Sequence, residues 1–305
     1  MPEGPEARRI VDKLRPRIKG KNLLCLNIQE SIKNYSELQE RYKLCESLFP
    51  TIILDLITVG KQLYFYLDNG LILNSGLAMT GIWVYDKPLN HTRLIMNFGE
   101  EYDRFLVSRF KLYFNDVRKM GNFYILTPEE ASQKMSKSYR YDLMNVISPQ
   151  LDIDKKVLAV LPSSFFEIPN EEIFCNLITY WGHKKPNQTI SEWLLDQSNI
   201  SGIGNYIKSE ALYLARLNPH RPVSSLTIDD MKRLYNSTIW VMSESYKKGG
   251  LTFGDFLDPD LEKGMYNTFV YNRKGKLDNY GLEIQETKQR GSNERNTFWV
   301  PSIQI

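Results

Sequence analysis

The chain has 305 residues, 42% of them hydrophobic, and a net charge of +3, so it can bury sizeable cores, and its overall charge dictates no partner. Three scattered cysteines, Cys25, Cys45 and Cys175, form no CxxC pair, which argues against a disulfide framework or a cysteine zinc site and fits a reducing compartment. With no apolar N-terminal leader and no apolar run of about 18 residues, neither secretion nor membrane spanning is expected, and an intracellular protein is. Charge is nonetheless uneven: residues 13–21 and 273–276 are basic and residues 255–262 acidic. That pattern suits nucleic acid as well as solvated faces.

The first six residues, Met1-Pro2-Glu3-Gly4-Pro5-Glu6, suit neither a strand nor a long helix by propensity. Helical spacing follows, with Ala7, Ile10, Val11, Leu14 and Ile18 on one face. If Met1 is removed, Pro2 exposes a secondary amine, and the reference pKa of an α-amine near ~8 leaves a useful free-base fraction at neutral pH. Glu3 is a candidate acid or base beside it. The alternative is a helix start, with Pro5 pre-setting φ and Glu6 favoured by the helix dipole.

Residues 23–126 read as short β-runs separated by turns, with Asp68-Asn69-Gly70 as a tight-turn signal. An antiparallel sandwich or barrel is expected. Residues 131–168 read as a linker. From Pro169 the pattern is helical, with helices opening at Asn170, Thr189, Tyr206 and Thr227, the last ended by Gly249-Gly250. Residues 268–305 read as a hairpin with turns near 272–275 and 291–293. The fold class is thus α+β, divided as 1–130, 131–168, 169–250 and 251–305.

Between two of those helices lies Gln197-Ser198-Asn199-Ile200-Ser201-Gly202-Ile203-Gly204-Asn205. Its glycines allow close backbone approach, and the following helix N-terminus offers N–H groups to an anion such as a DNA phosphate. The alternative is an interhelical turn with Asn205 as N-cap. Lys61 and Arg295 read as solvated charges or phosphate contacts. Met79 and Met120 read as core or as wedges, and Arg118 as a surface ion-pair member. His91, His183 and His220 share no metal-ligand spacing.

In their order, these stretches resemble the formamidopyrimidine-DNA glycosylase/endonuclease VIII family of base-excision repair enzymes. The segments that carry the resemblance are Pro2-Glu3-Gly4-Pro5-Glu6, Gly60-Lys61-Gln62-Leu63, Leu194-Leu195-Asp196-Gln197, Ile200 through Asn205, Ser209-Glu210-Ala211-Leu212, Asn218-Pro219-His220-Arg221-Pro222, Gly249-Gly250-Leu251-Thr252, Val270-Tyr271-Asn272-Arg273 and Arg295-Asn296-Thr297-Phe298-Trp299. It spans nearly the whole chain and implies an N-terminal β-sandwich, a helix–two-turn–helix domain and a C-terminal β-hairpin finger around DNA.

The resemblance also implies roles. Pro2 would attack C1′ through a Schiff base, leading to β,δ-elimination, while Glu3 would handle protons at the sugar. Lys61, Asn205 and Arg295 would hold phosphates, with Lys61 also favouring the neutral amine. Met79, Arg118 and Met120 would fill the space left by the everted base, and Glu6 would support the N-terminus. The expected partner is double- or single-stranded DNA carrying oxidised bases or abasic sites, bound by a monomer without metal or organic cofactor. Oxidised pyrimidines and hydantoins are the expected lesions, met by a loop near 253–264. Competing readings are a lesion-binding protein that keeps the fold without catalysis and, more remotely, an RNA-binding protein.

The family's finger carries two cysteine pairs, whereas the matching positions here hold Leu277, Tyr280, Val300 and Ile303. All four can pack, so an apolar cluster is expected in place of the metal. Metal analysis of purified, untagged protein should find no stoichiometric zinc, and stoichiometric zinc would overturn this reading of the finger.

Overall fold

In the computed structural model, residues 2–102, 105–138, 141–252, 256–288 and 295–305 are described. Helix α1, Gly4–Ile18, begins inside the opening hexapeptide rather than after it. Pro5 sits in the first turn, where a missing N–H costs nothing, and the Glu6 carboxylate accepts from the Glu3 N–H at 2.9 Å. Ala7, Ile10, Val11, Leu14 and Ile18 are all buried, as their spacing requires. A second helix, α2, Tyr35–Cys45, lies within the stretch read as wholly β. Its buried residues, Leu38, Tyr42 and Cys45, keep a helical spacing in an otherwise polar segment.

Eight antiparallel strands follow the expected runs closely: β1 (Asn22–Ile28), β2 (Thr51–Val59), β3 (Gln62–Leu67), β4 (Ile72–Gly76), β5 (Gly81–Tyr85), β6 (Thr92–Tyr102), β7 (Phe105–Asp116) and β8 (Asn122–Leu126). Their order is β5-β7-β6-β1-β2-β3-β4-β8, and β1 and β2 share just two paired positions where the sheet folds over. The two halves face each other across Trp83. Its ring meets Phe114 of its own half at 5.1 Å, and Phe65 and Phe123 of the opposite half at 5.4 and 6.2 Å. A sandwich results, with α1 packed against it.

Residues 127–168 carry α3 (Pro128–Ser138), α4 (Met144–Ile147) and α5 (Lys155–Leu158). Ala131, Met135, Val157, Leu161 and Phe165 cover the outer face of β2–β4 at Ile57, Tyr64, Tyr66 and Ile72. Beyond them, α6 (Glu171–Lys184), α7 (Ile190–Leu195), α8 (Asn205–Leu214) and α9 (Ile228–Lys247) enclose a second core around Phe174, Trp193, Tyr206 and Met242. Asn170, Thr189 and Thr227 cap α6, α7 and α9 as their sequences predict.

The last hairpin pairs β9 (Gln285–Lys288) with β10 (Asn296–Trp299), while the expected turn at 291–293 lies outside the described residues. Val300 and Ile303 join a small cluster with Tyr213, Val270, Ile284 and Phe298. Leu277 and Tyr280 do not, being 57% and 70% exposed, so the expected four-residue apolar cluster is only half formed. Asp278 organises that turn instead, accepting from the Tyr280 and Leu282 N–H groups at 2.8 Å each and from the Tyr213 hydroxyl at 2.9 Å.

Trp83→Ala removes the ring on which both halves of the sandwich rest. It should cost about 3–5 kcal/mol, the usual range for a buried large aromatic, read as a lowered denaturant midpoint at unchanged m-value.

Candidate active site at the junction of the first helix and the helix–two-turn–helix

Gly4 N–H donates to Gly202 O at 2.8 Å, which sets the start of α1 against the turn before α8. The buried Glu3 carboxylate then lies across the N-terminus of α8. It accepts from the N–H groups of Gly204 at 2.6 Å, Tyr206 at 2.9 Å and Ile207 at 3.3 Å. The helix-terminal donors that the sequence offered to a phosphate are therefore occupied by the protein's own carboxylate. Gly204 permits this, because a Cβ there would stand 2.2 to 2.6 Å from the carboxylate atoms. Pro2, next to Glu3, is buried, and Met1 lies outside the described residues.

Glu6 supports the arrangement from below. Besides the Glu3 N–H, it accepts from the Tyr206 hydroxyl at 3.0 Å and from the Leu251 N–H at 2.9 Å. Lys61 is no solvated turn lysine. Gly60, at φ +60°, turns the chain between β2 and β3, and the half-buried Lys61 ammonium donates to Ile203 O at 2.6 Å. Burial pushes the Glu3 carboxyl up to about 7 against the opposing pull of Lys61. Burial likewise pulls Lys61 down to about 8, with Glu3 opposing and Arg295 assisting.

Asn205 is the first residue of α8 rather than its cap, which is Gly204. Its Nδ2 donates to Asn296 O at 2.9 Å, so it joins α8 to the finger beside Arg295. Arg295 reaches the same centre electrostatically, since its charge depresses Lys61. The remaining predicted residues form a separate group on two adjacent turns. Arg118 Nη1 lies 3.6 Å from Met79 Sδ, and Met120 is 43% exposed on the same turn as Arg118. Buried Asp116 ties these turns together through the Thr80 hydroxyl and the N–H groups of Arg118 and Gly121.

Residues 1–123 match the formamidopyrimidine-DNA glycosylase N-terminal domain family, and residues 167–256 match the formamidopyrimidine-DNA glycosylase H2TH domain family. The chain belongs to the formamidopyrimidine-DNA glycosylase/endonuclease VIII family. A formamidopyrimidine-DNA glycosylase of Pelotomaculum thermopropionicum is 29% identical over 311 residues, covering 100% of this chain and 99% of that protein. One from Ureaplasma parvum is 27% identical over 318 residues, with both chains fully covered. Among solved structures, the Lactococcus lactis protein complexed with abasic-site DNA superposes with a TM-score of 0.76 at 23% identity over 99% of each chain. The Thermus thermophilus MutM protein gives 0.70 at 25% identity over 99% of this chain and 98% of that one.

Within this glycosylase-family fold, some residues that build the site escaped the sequence reading. Asp142 accepts from the Gly60 N–H at 2.9 Å and faces Arg8 at 3.9 Å, anchoring the turn that carries Lys61. Glu210 accepts from the N–H groups of Phe269, Val270 and Tyr271 at 2.6 to 2.9 Å, which seats the lead-in to the finger. Lys208, fully buried, bonds both Asn205 and Thr297. The uneven charge runs resolve differently from a DNA surface. Arg9, Lys13 and Arg17 of α1 pair with Asp258, Asp260 and Glu262 at 2.7 to 3.1 Å. The described part of the expected lesion loop, residues 256–264, is thereby fastened to α1, while residues 253–255 lie outside the described residues.

Because burial raises Glu3 from 4.5 to about 7, the folded state holds that proton more tightly than the unfolded one, and this group costs stability as pH rises through that window. Replacing Glu3 by Gln removes the titration and adds a pH-independent loss of backbone hydrogen bonds. The wild type's stability advantage over Glu3→Gln should be largest near the bottom of the window and shrink towards its top, as measured by urea unfolding across the range. A gap that widened with pH would contradict the assigned direction.

Proposed function

We propose that the chain is a bifunctional DNA glycosylase and abasic-site lyase of base-excision repair. The observation that carries this reading is the seating of Glu3, which fixes the N-terminal residues against the turn before α8 and beside Lys61. With Met1 removed, the Pro2 nitrogen is a secondary amine that attacks C1′ of the damaged nucleotide; the N–C1′ bond forms as the bond to the base breaks. The aminal so formed loses its N–H proton and opens as the C1′–O4′ bond breaks and O4′ takes a proton, and the resulting iminium acidifies the C2′ proton. Its removal expels the 3′ phosphate, and a second elimination expels the 5′ phosphate. Glu3, titrating near neutrality, gives and takes protons at the sugar. This is covalent catalysis by the chain's own amine.

Everting a base costs on the order of a few kcal/mol. Lys61, Asn205 and Arg295 offset part of that by holding phosphates, which makes binding salt-dependent. Met79, Arg118 and Met120, presented together on two turns stitched by Asp116, are suited to occupy the vacated stack. The curated relatives are named for formamidopyrimidine lesions, and neighbouring structures were solved with 8-oxo-G and Fapy-dG DNA. These names favour oxidised purines over the oxidised pyrimidines and hydantoins that the sequence suggested.

Protein lacking Met1, incubated with an abasic-site duplex and borohydride, should give a covalent adduct that is absent when the N-terminus is blocked. DNA binding without any adduct would leave only the lesion-binding reading. On a panel of lesion duplexes, Fapy-dG and 8-oxo-G should be excised faster than oxidised pyrimidines, and the reverse order would return the substrate to the pyrimidine class.

A further inference from the structure

We infer that Lys208 is a positioning residue that sets which end of the Asn205 amide is presented to DNA. The inference rests on the phosphate-holding role proposed above for Asn205. Lys208 is fully buried on α8, one turn after Asn205, and its Nζ donates to Asn205 Oδ1 and to Thr297 Oγ1 at 2.8 Å each. The other end of the amide, Nδ2, donates to Asn296 O at 2.9 Å.

The two ends of an amide have nearly the same shape, so steric packing does not distinguish them; their partners do. Turned over, Asn205 would set its NH2 against the lysine donors and its oxygen against the Asn296 carbonyl. Both contacts would become repulsive. Lys208 therefore holds Oδ1 inward and keeps Nδ2 on the finger side. Nδ2 carries two N–H groups; Asn296 takes one, and the Tyr271 hydroxyl, hydrogen-bonded to the Asn205 side chain, faces the other, so a phosphate oxygen would take that second N–H in the hydroxyl's place.

The same lysine secures the finger. Asn296 and Thr297 directly follow Arg295, and they are fastened to α8 by Asn205 and Lys208 respectively. One buried amine thus orients two of the three proposed phosphate contacts. Burial also pulls Lys208 down to about 7, opposed by Glu3 and aided by Arg295. Neutral or charged, the amine has at least two N–H groups for its two acceptors, so the arrangement does not depend on its charge.

The test separates a donor from a cation. Lys208→Gln keeps N–H donors and removes the charge; Lys208→Met removes both. Binding is measured to a duplex carrying a tetrahydrofuran abasic analogue, over a range of salt. Lys208→Gln should bind within about threefold of wild type with an unchanged salt slope, the scatter expected between uncoupled sites. Lys208→Met should bind about 10–100-fold more weakly, the worth of one hydrogen bond to a charged group. Adding Lys208→Met to Asn205→Ala should cost less than Lys208→Met does alone, because only the Thr297 contact is then left to lose. If Lys208→Gln is as weak as Lys208→Met and its salt slope falls, Lys208 acts as a phosphate-binding cation and the inference is wrong. Wild-type binding by Lys208→Met, or losses that add independently with Asn205→Ala, would also overturn it. Should Lys208→Met fail to unfold cooperatively, Lys208→Gln decides alone. The readout is binding, so a wild type that binds but does not trap an abasic site refutes the lyase chemistry and leaves this test intact.

Discussion

A buried carboxylate laid across the start of a buried helix is the interaction on which the rest of the structure depends. Glu3 alone would be costly to desolvate, and so would the first N–H groups of α8. Each solves the other's problem, since those N–H groups give the carboxylate its hydrogen bonds and the helix dipole favours its charge. The arrangement is demanding. It requires Gly204 to leave room and Gly4 to bond the backbone of Gly202. It also places Glu6 beneath, where two carboxylates share one site and Glu6 helps to raise Glu3. A group titrating near neutrality follows from the way two domains are joined.

Two carboxylates hold the finger's lead-in and first turn, and the positions that match the family's cysteine pairs hold Leu277, Tyr280, Val300 and Ile303. A structural zinc is worth on the order of 10–16 kcal/mol in apparent binding free energy, which no single substitute matches. Glu210 takes three backbone N–H groups of the finger's lead-in, and Asp278 takes two in its first turn. Hydrogen bonds to charged groups contribute about 1.5–3 kcal/mol each, so five reach the same order. Val300, Ile303 and Phe298 add apolar burial. Exposed Leu277 and Tyr280 follow from this, because where a carboxylate organises the turn its flanking side chains need not pack.

Periodicity made α1, α6, α9 and the strands legible, and the order of motifs made the family legible. What escaped was pairing at long range. The α8 N-terminus read as an anion site, and it is one, but sequence cannot say that the anion comes from some 200 residues upstream. The basic run 13–21 and the acidic run 255–262 read as solvated faces or nucleic-acid contacts, yet Arg9, Lys13 and Arg17 pair with Asp258 and Asp260 across more than 240 positions. Helix α2 was hidden by polar residues between its three buried ones. Ser209 and Glu210 read only as part of a family segment, and Lys208 carried no signal of its own. Residues 205–213 are all buried, and each of those three polar side chains is hydrogen-bonded within the interior.

The join between the domains also limits how the protein can close on DNA. Gly4 bonds Gly202, Gly60 bonds Asp142, and Lys61 bonds the carbonyl of Ile203; Asp142 in turn faces Arg8, and Ser201 bonds Tyr141 next to it. These contacts link the first helix, the β2–β3 turn, the connecting segment and the helix–two-turn–helix at one place. Buried charges of this kind add little net stability, and breaking one partner away from the other is expensive. A rotation of one domain against the other would break several at once and uncover Glu3, Arg8 and Asp142 unpaired. Motion on binding is therefore confined to elements outside this knot. The turns bearing Met79, Arg118 and Met120 qualify, since Asp116 ties them to each other and to His91 and Arg93 within the same sandwich. The proposed catalytic groups then stay fixed while the proposed void-filling turns can adapt, which is the division of labour that base eversion requires.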